Sequence, residues 1–238
     1  MVTQLQRRKP KSAPKRDTNH RSADIVINGS VHIPPWVTDH DSFRRWAFSD
    51  QFPERGRFAF LAGILWVDLS METFIHNRIK SMITIVLGPI VENEGLGEFF
   101  VDGMLLTNRA AGISNEPDAM FISKERIEKG LAVPTKGDKS MELSGAPDMA
   151  LEVVSKTSYD KDMVDSIDLY AKAGIAEYWL VDSTIDTPEL VIMRLVAGKY
   201  VTARKHDGWV KSHVFARSFR LTSRMDDQGF SRFKLETK

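Results

Sequence analysis

Strand-like and helix-like segments alternate along this 238-residue chain, which predicts an α/β fold of the mixed α+β kind. Three observations carry that prediction. Apolar runs at 147–155 and 177–182 bracket an amphipathic run that stops at Gly174, the pattern of strand, helix, strand. Ile75, Ile79, Met82, Ile83, Val86, Leu87 and Ile90 recur at three- and four-residue steps, so one long amphipathic helix lies between strand candidates. Leu190 to Leu195 and Lys199 to Arg204 flank Ala197-Gly198, a C-terminal β-hairpin extension.

Composition narrows the function classes. An apolar content of 42% with 27% charged residues belongs to soluble globular chains, and the length suffices for one domain with a proper core. Cysteine is absent, which excludes disulfides and thiolate metal sites and fits a reducing cytoplasm, the expected location. No apolar run approaches the ~20 residues that span a bilayer, so no membrane contact is expected. The basic N-terminus has no apolar segment behind it and is not expected to be a secretory signal. Residues 1–22 hold seven Lys or Arg against one acid, leaving 26 bases and 31 acids in the remainder. That acidic body argues against a nucleic-acid-coating protein and suits a site where carboxylates hold a cation.

Residues 1–22 cannot bury a core and are expected to be a disordered basic arm, either contacting phosphates or serving as a solubilising tail. The rest, 23–238, reads as a single domain. Ile25 to Ile33 suggests a short edge strand ended by Pro34-Pro35, and Thr38-x-x-Asp41 a helix start with Phe43 and Trp46 on its apolar face. Arg57–Leu61, a turn at Ala62-Gly63 and Ile64–Asp68 read as strand, turn, strand. Ser70 is the expected cap of the long helix. Glu72, His76 and Lys80 then lie four apart on one face, as a solvated salt bridge or as polar groups aimed into a site. Strand candidates follow at 97–107 and 119–122, a short helix and polar loop at 124–139, and a strand at 139–143. Met163, Ile167, Tyr170 and Ala171 form the stripe of the central helix, with Gly174 at its C-terminus. Beyond Trp209, Phe215, Phe219, Phe230 and Phe233 are expected to dock on the sheet. No internal repeat, phosphate-cradling glycine loop or His-rich metal motif is present.

The chemistry centres on Glu152, a carboxylate inside an apolar run, where burial is costly without a partner. Strand parity puts Asp148, Ala150, Glu152 and Val154 on one face and Met149, Leu151 and Val153 on the other. Asp148 otherwise serves a cap or a loop, and Glu152 a salt bridge. Pro117-Asp118 opens a second apolar run in the same way as Pro147-Asp148. If the two strands are neighbours, Asp118 and Glu152 converge on one Mg²⁺ or Mn²⁺, able to polarise a phosphodiester and activate a water.

Pro117-Asp118, then Ala146 through Ser155, then Leu169-Tyr170-Ala171-Lys172-Ala173-Gly174-Ile175-Ala176-Glu177-Tyr178-Trp179-Leu180-Val181-Asp182 together resemble the Uma-two-type restriction endonuclease family of the PD-(D/E)XK superfamily, over about residues 38–200. The resemblance implies a restriction-endonuclease-like core, a central mixed sheet flanked by helices, with Mg²⁺-dependent cleavage of DNA. It implies Asp118 as first metal carboxylate and Glu152 as second. DNA is then the expected partner, and a homodimer stays open. Two departures qualify this. The superfamily lysine two positions after the acid is Val154 here, and the helix position where relatives often carry a lysine is Ser166. Lys156, ~13 Å further along the strand direction, and Lys161 are the remaining candidates. The family run Arg-Phe-Glu-Leu-x-Asp-Gly appears as Arg57-Phe58-Ala59-Phe60-Leu61-Ala62-Gly63, without its acids. Asp68 and Glu72 are candidates to replace them beside His76, with Glu72 completing the metal set. Lacking a cation at the phosphate would cost about 10²–10³-fold in rate. The alternatives are therefore an inactive nuclease-like fold that binds nucleic acid, or an assembly protein with structural acids.

Overall fold

The computed structural model describes residues 25–238, so the arm expected over 1–22 lies outside the described residues. By its contacts the chain divides after Val37. In the first unit, β1 (Ile25–Ile27) and β2 (Val31–Ile33) pair antiparallel, Ile25 opposite Ile33. The single strand read over this stretch is thus folded back on itself. Asn28 and Gly29 both take positive φ, 52° and 69°, in a three-residue turn between the paired Ile27 and Val31, where the Ser30 N–H donates to the Ile27 carbonyl.

The second unit begins with α1 (His40–Ala47). Asp39 caps it, one residue past the expected Thr38. Its carboxylate accepts the Ser42 N–H while Ser42 Oγ accepts the Asp39 N–H, a closed capping box. β3 (Arg57–Leu61) and β4 (Ile64–Asp68) form the expected hairpin about Ala62-Gly63. α2 (Phe74–Glu94) is capped by Thr73, not Ser70, and its C-terminal Gly95 takes φ 58°. Glu72 consequently precedes the helix instead of sitting in its first turn.

β5 (Gly97–Val101), β6 (Leu105–Asn108), β7 (Ile113–Asn115) and β8 (Ala119–Ser123) follow, then α3 (Lys124–Glu128), β9 (Ala132–Pro134), β10 (Glu142–Gly145) and β11 (Met149–Val154). A π turn at Lys161–Asp165 runs into α4 (Ser166–Ala173), which leads to β12 (Glu177–Asp182). The hairpin β13 (Glu189–Val196) and β14 (Lys199–Thr202) is the expected one. β15 (Lys205–His206), β16 (Trp209–Lys211), β17 (Ser218–Met225) and β18 (Ser231–Thr237) close the chain.

The strands make two six-stranded sheets. The central one runs β14-β13-β12-β11-β8-β5, with β11 and β12 parallel and its other neighbours antiparallel. The other runs β4-β3-β7-β6-β10-β9. Beyond the β13–β14 hairpin the C-terminal extension continues, and β15 to β18 form a four-stranded sheet of their own. Glu177 ties that extension down: its buried carboxylate accepts from Trp179 Nε1 (2.9 Å), Ser212 Oγ (2.7 Å) and the His213 N–H (2.6 Å). No helix among the described residues is long and apolar enough to cross a membrane.

Parity holds along β11. Met149, Leu151 and Val153 pack with Ile79, Ile83 and Leu87 of α2, while Ala150 and Val154 pack with Tyr170 and Tyr178 on the opposite face. Each Pro-Asp dipeptide marks a crossing between the six-stranded sheets, Pro117-Asp118 from β7 to β8 and Pro147-Asp148 from β10 to β11. Asp148 serves its crossing structurally. It accepts from the Ser123 N–H (2.6 Å) and Arg126 Nε (3.0 Å), and Arg126 also donates to the carbonyls of Ala146 and Gly174.

Candidate active site

The other crossing gathers the polar groups. Asp118, just before β8, is buried beneath α2. Its Oδ2 accepts the Val153 N–H at 2.7 Å, and its Oδ1 lies 3.3 Å from His76 Nε2. The Thr73 cap starts α2 so that His76 stands in its first turn with a buried ring. Glu72, at the surface just before the cap, completes a group in which the ligand atoms of Glu72, His76 and Asp118 all lie within 4.8 Å of one another.

Two cations neutralise this group. Arg57, first residue of β3, pairs with Glu72 and comes within 3.6 Å of Asp118 Oδ1. Lys80 Nζ, one turn beyond His76, is 2.5 Å from Glu72, 2.6 Å from Asp102 and 3.8 Å from Asp118. Burial alone would push the Asp118 carboxyl up, but the His76 hydrogen bond, the charges of His76 and Arg57 and the Val153 N–H outweigh it and hold it below its ordinary value. Asp118 is therefore ionised. Glu72 is lowered as well, its partial burial outweighed by Lys80 and Arg57. The salt bridge read from the Glu72–His76–Lys80 spacing is present between Glu72 and Lys80, beside the buried His76 and Asp118.

Glu152 lies one strand over. β11 and β8 pair antiparallel with Leu151 opposite Ala119, so the next position puts Glu152 across from Asp118. The two do not share one set of partners. Glu152 Oε1 accepts from Asn115 Nδ2 (3.0 Å) and Tyr170 Oη (3.0 Å) and lies 3.5 Å from Lys161 Nζ, which also pairs with Asp162. The group of three around Asp118 accordingly contains His76 where the sequence reading has Glu152. Burial pushes the Glu152 carboxyl up to about 8; Lys161 opposes the shift, while Asp162 and Asp118 add to it. Glu152 therefore holds its proton to higher pH than an ordinary carboxyl does. Lys161 is buried too, but Glu152 and Asp162 raise it and it stays charged.

A stability prediction follows from these signs. Glu152 binds its proton more tightly folded than unfolded, where its ordinary value is 4.5. Its contribution to metal-free stability is therefore complete below pH 4.5 and is lost as pH rises to about 8. Glu152→Gln should flatten that part of the curve and raise the melting temperature above pH 8, measured by thermal melts in EDTA at several pH values. A wild-type slope that survives in the variant assigns it to another group.

Lys161 owes its place to the π turn. The Ser166 N–H bonds to the Lys161 carbonyl, an i→i+5 step, so the two residues stack on one side of the helix. Ser166 Oγ is buried without a partner among the described residues. The other candidate lysine, Lys156, follows the end of β11 on an exposed loop, so strand parity no longer governs it, and it borders a different cavity from Glu152. Asp68 is engaged elsewhere, accepting from Thr157 Oγ1 (2.9 Å) and the Ser70 N–H (2.8 Å), so of the two candidate replacements only Glu72 joins the group of three.

Two cavities meet here, both bordered by Arg57. One, of about 280 Å³, is lined by Trp66, Asn115, Glu152, Lys161 and Asp162. The other, of about 330 Å³, is lined by Glu72, His76, Lys156 and Thr157. Asn115, Asp162, the Tyr170 hydroxyl and the pairing of Arg57 with the acids escape the sequence reading. Asn115 stands three residues before Asp118, and Tyr170 sits in the helix stripe as an apolar residue with a polar tip, so faint signals existed for both.

A mixed central sheet flanked by helices, with its strands crossing at the two Pro-Asp dipeptides, is a restriction-endonuclease-like fold. The structure is similar to one described as "Crystal structure of a putative nuclease" from Anabaena variabilis, with a TM-score of 0.55 and 18% identity over 75% of this chain and 90% of that one. Residues 40–223 match the Uma2 family, described as "Putative restriction endonuclease", and the chain belongs to that family. No curated protein sequence matches it.

Proposed function

We propose that the protein is a metal-dependent endonuclease that hydrolyses DNA phosphodiester bonds. The observation that carries this is the crossing at Asp118, where a buried, ionised carboxylate stands beside Glu72 and His76 and across from the Glu152–Lys161 pair. The donor set fits a divalent cation. Two carboxylates supply hard oxygen ligands, and the imidazole suits Mn²⁺ better than Mg²⁺. Glu72, His76 and Asp118 would hold the ion, and Glu152 would add its carboxylate on giving up its proton. A cation bound there supplies polarisation of the phosphodiester and a water of lowered pKa.

The chain's own residues do the rest. Lys161 holds a positive charge at the wall of the cavity, placed to steady the charge that develops on the phosphate. Asn115 and Tyr170 both donate to Glu152 Oε1 and so fix its rotamer. Asp162 pairs with Lys161, and its carbonyl accepts from Tyr178 Oη at 3.0 Å, which pins the π turn. Incubation of supercoiled plasmid with the full chain should give nicked or linear product, faster with Mn²⁺ than with Mg²⁺. Intact plasmid with both metals, over a range of protein concentration, would sink the reading.

A further inference from the structure

The cluster of Glu72, His76 and Asp118 is already balanced by cations, and the two that balance it are not equivalent. Lys80 is nearly buried and keeps a second acid, Asp102, at 2.6 Å, so it retains a partner if Glu72 is taken away. The ion pairs of Arg57 are with Glu72 and Asp118, both members of the cluster. Its side chain is 40% exposed and borders both cavities, so it has space to move into. A guanidinium cannot shed its charge at any working pH, so it cannot stay beside an arriving dication by losing a proton. It has to leave.

We propose that Arg57 is a built-in placeholder for the divalent cation: metal entry displaces it from Glu72 and Asp118, and the freed guanidinium then binds the phosphate of the DNA. The second half follows from where the side chain can go. Turned away from the acids, it remains at the mouth of the two cavities, and its planar fork of donors matches a phosphate bidentately. Metal loading and phosphate capture are then coupled through one side chain. Without metal the cleft keeps its arginine folded onto its own acids. The proposal rests on the metal-dependent reading of this site.

The test is Mn²⁺ titration by calorimetry on the wild type, Arg57→Gln and Asp118→Asn, followed by fluorescence anisotropy with a phosphorothioate oligonucleotide in Mn²⁺. Arg57→Gln is expected to bind Mn²⁺ about 10–100-fold more tightly, the range by which groups around a metal's ligands move its affinity. It should bind the oligonucleotide more weakly than wild type at saturating Mn²⁺, so the two affinities move in opposite directions. Arg57→Lys, which keeps the charge and loses the fork, should fall between the two on both scales, and it serves as the test variant if Arg57→Gln does not fold. Equal Mn²⁺ affinity in wild type and Arg57→Gln, at a site that Asp118→Asn removes, overturns the placeholder and leaves the metal reading standing. No Mn²⁺ bound by either overturns both. Tighter Mn²⁺ with unchanged oligonucleotide affinity overturns the phosphate half.

Discussion

Asp118→Asn should lower the rate of DNA cleavage by roughly 10³-fold or more and remove the high-affinity Mn²⁺ site. Asp118 ties the cluster to the sheet: it faces His76 and Arg57 with Oδ1 and accepts the Val153 N–H of β11 with Oδ2. The asparagine keeps the shape and an acceptor for Val153, so the fold should persist. What disappears is the negative charge that a dication needs, and a bound dication is worth several kcal/mol of transition-state stabilisation, each 1.4 kcal/mol being about tenfold in rate. Single-turnover cleavage, with far-UV circular dichroism to confirm the fold, measures both. Because Asp118 is held below its ordinary value of 3.8, it contributes stability that is present above that pH and lost on acidification. The variant should lack that part of the wild type's acid sensitivity. Full cleavage by a folded Asp118→Asn protein would place the chemistry elsewhere in the chain.

The second large effect is expected at Lys161. Lys161→Met should cost about 10²–10³ in cleavage rate, the usual loss when one charge-stabilising group is removed from a reacting centre. It also removes the cation shared by Glu152 and Asp162, so that both carboxyls should hold their protons to higher pH. The cleavage profile should then shift to more alkaline pH. Adding Ser166→Lys to Lys161→Met tests placement and not mere charge, because Ser166 lies one π turn along the same side of the helix. Partial recovery of the rate in the double variant is expected. No recovery, with the fold intact, would mean that the ammonium must come from Lys161 itself.

Much of the frame is legible in the sequence, for reasons that can be named. The six residues of β11 alternate cleanly because one face meets α2 and the other meets Tyr170 and Tyr178, and a period of two survives that double burial. The turns at Ala62-Gly63 and Ala197-Gly198 are visible because both positions take positive φ, which glycine tolerates. Short strands are not legible in this way. β7 and β9 are three residues each and cannot display a period, and β6 pairs with β10 in parallel across a long stretch of chain. The cap of α2 falls at Thr73, three residues past Ser70, where the Thr73 side chain accepts the His76 N–H.

The site is harder to read than the frame. Asp118, Glu72 and His76 can be named from the sequence, as can Glu152 and Lys161, yet their division into two groups cannot. Glu152 is drawn to Asn115, Tyr170 and Lys161, which come from three different elements, and that choice belongs to tertiary structure. Arg57 opens a strand 61 positions before Asp118, and no local pattern links the two.

The helical turn of five residues at Lys161–Asp165 bears on how the chain compares with its kin. Such a turn lets a side chain change its address along the polymer without leaving its spot in space. The helix position at which the family resemblance implies a lysine is Ser166, and Lys161 stands one coil upstream of it on the same side of the helix.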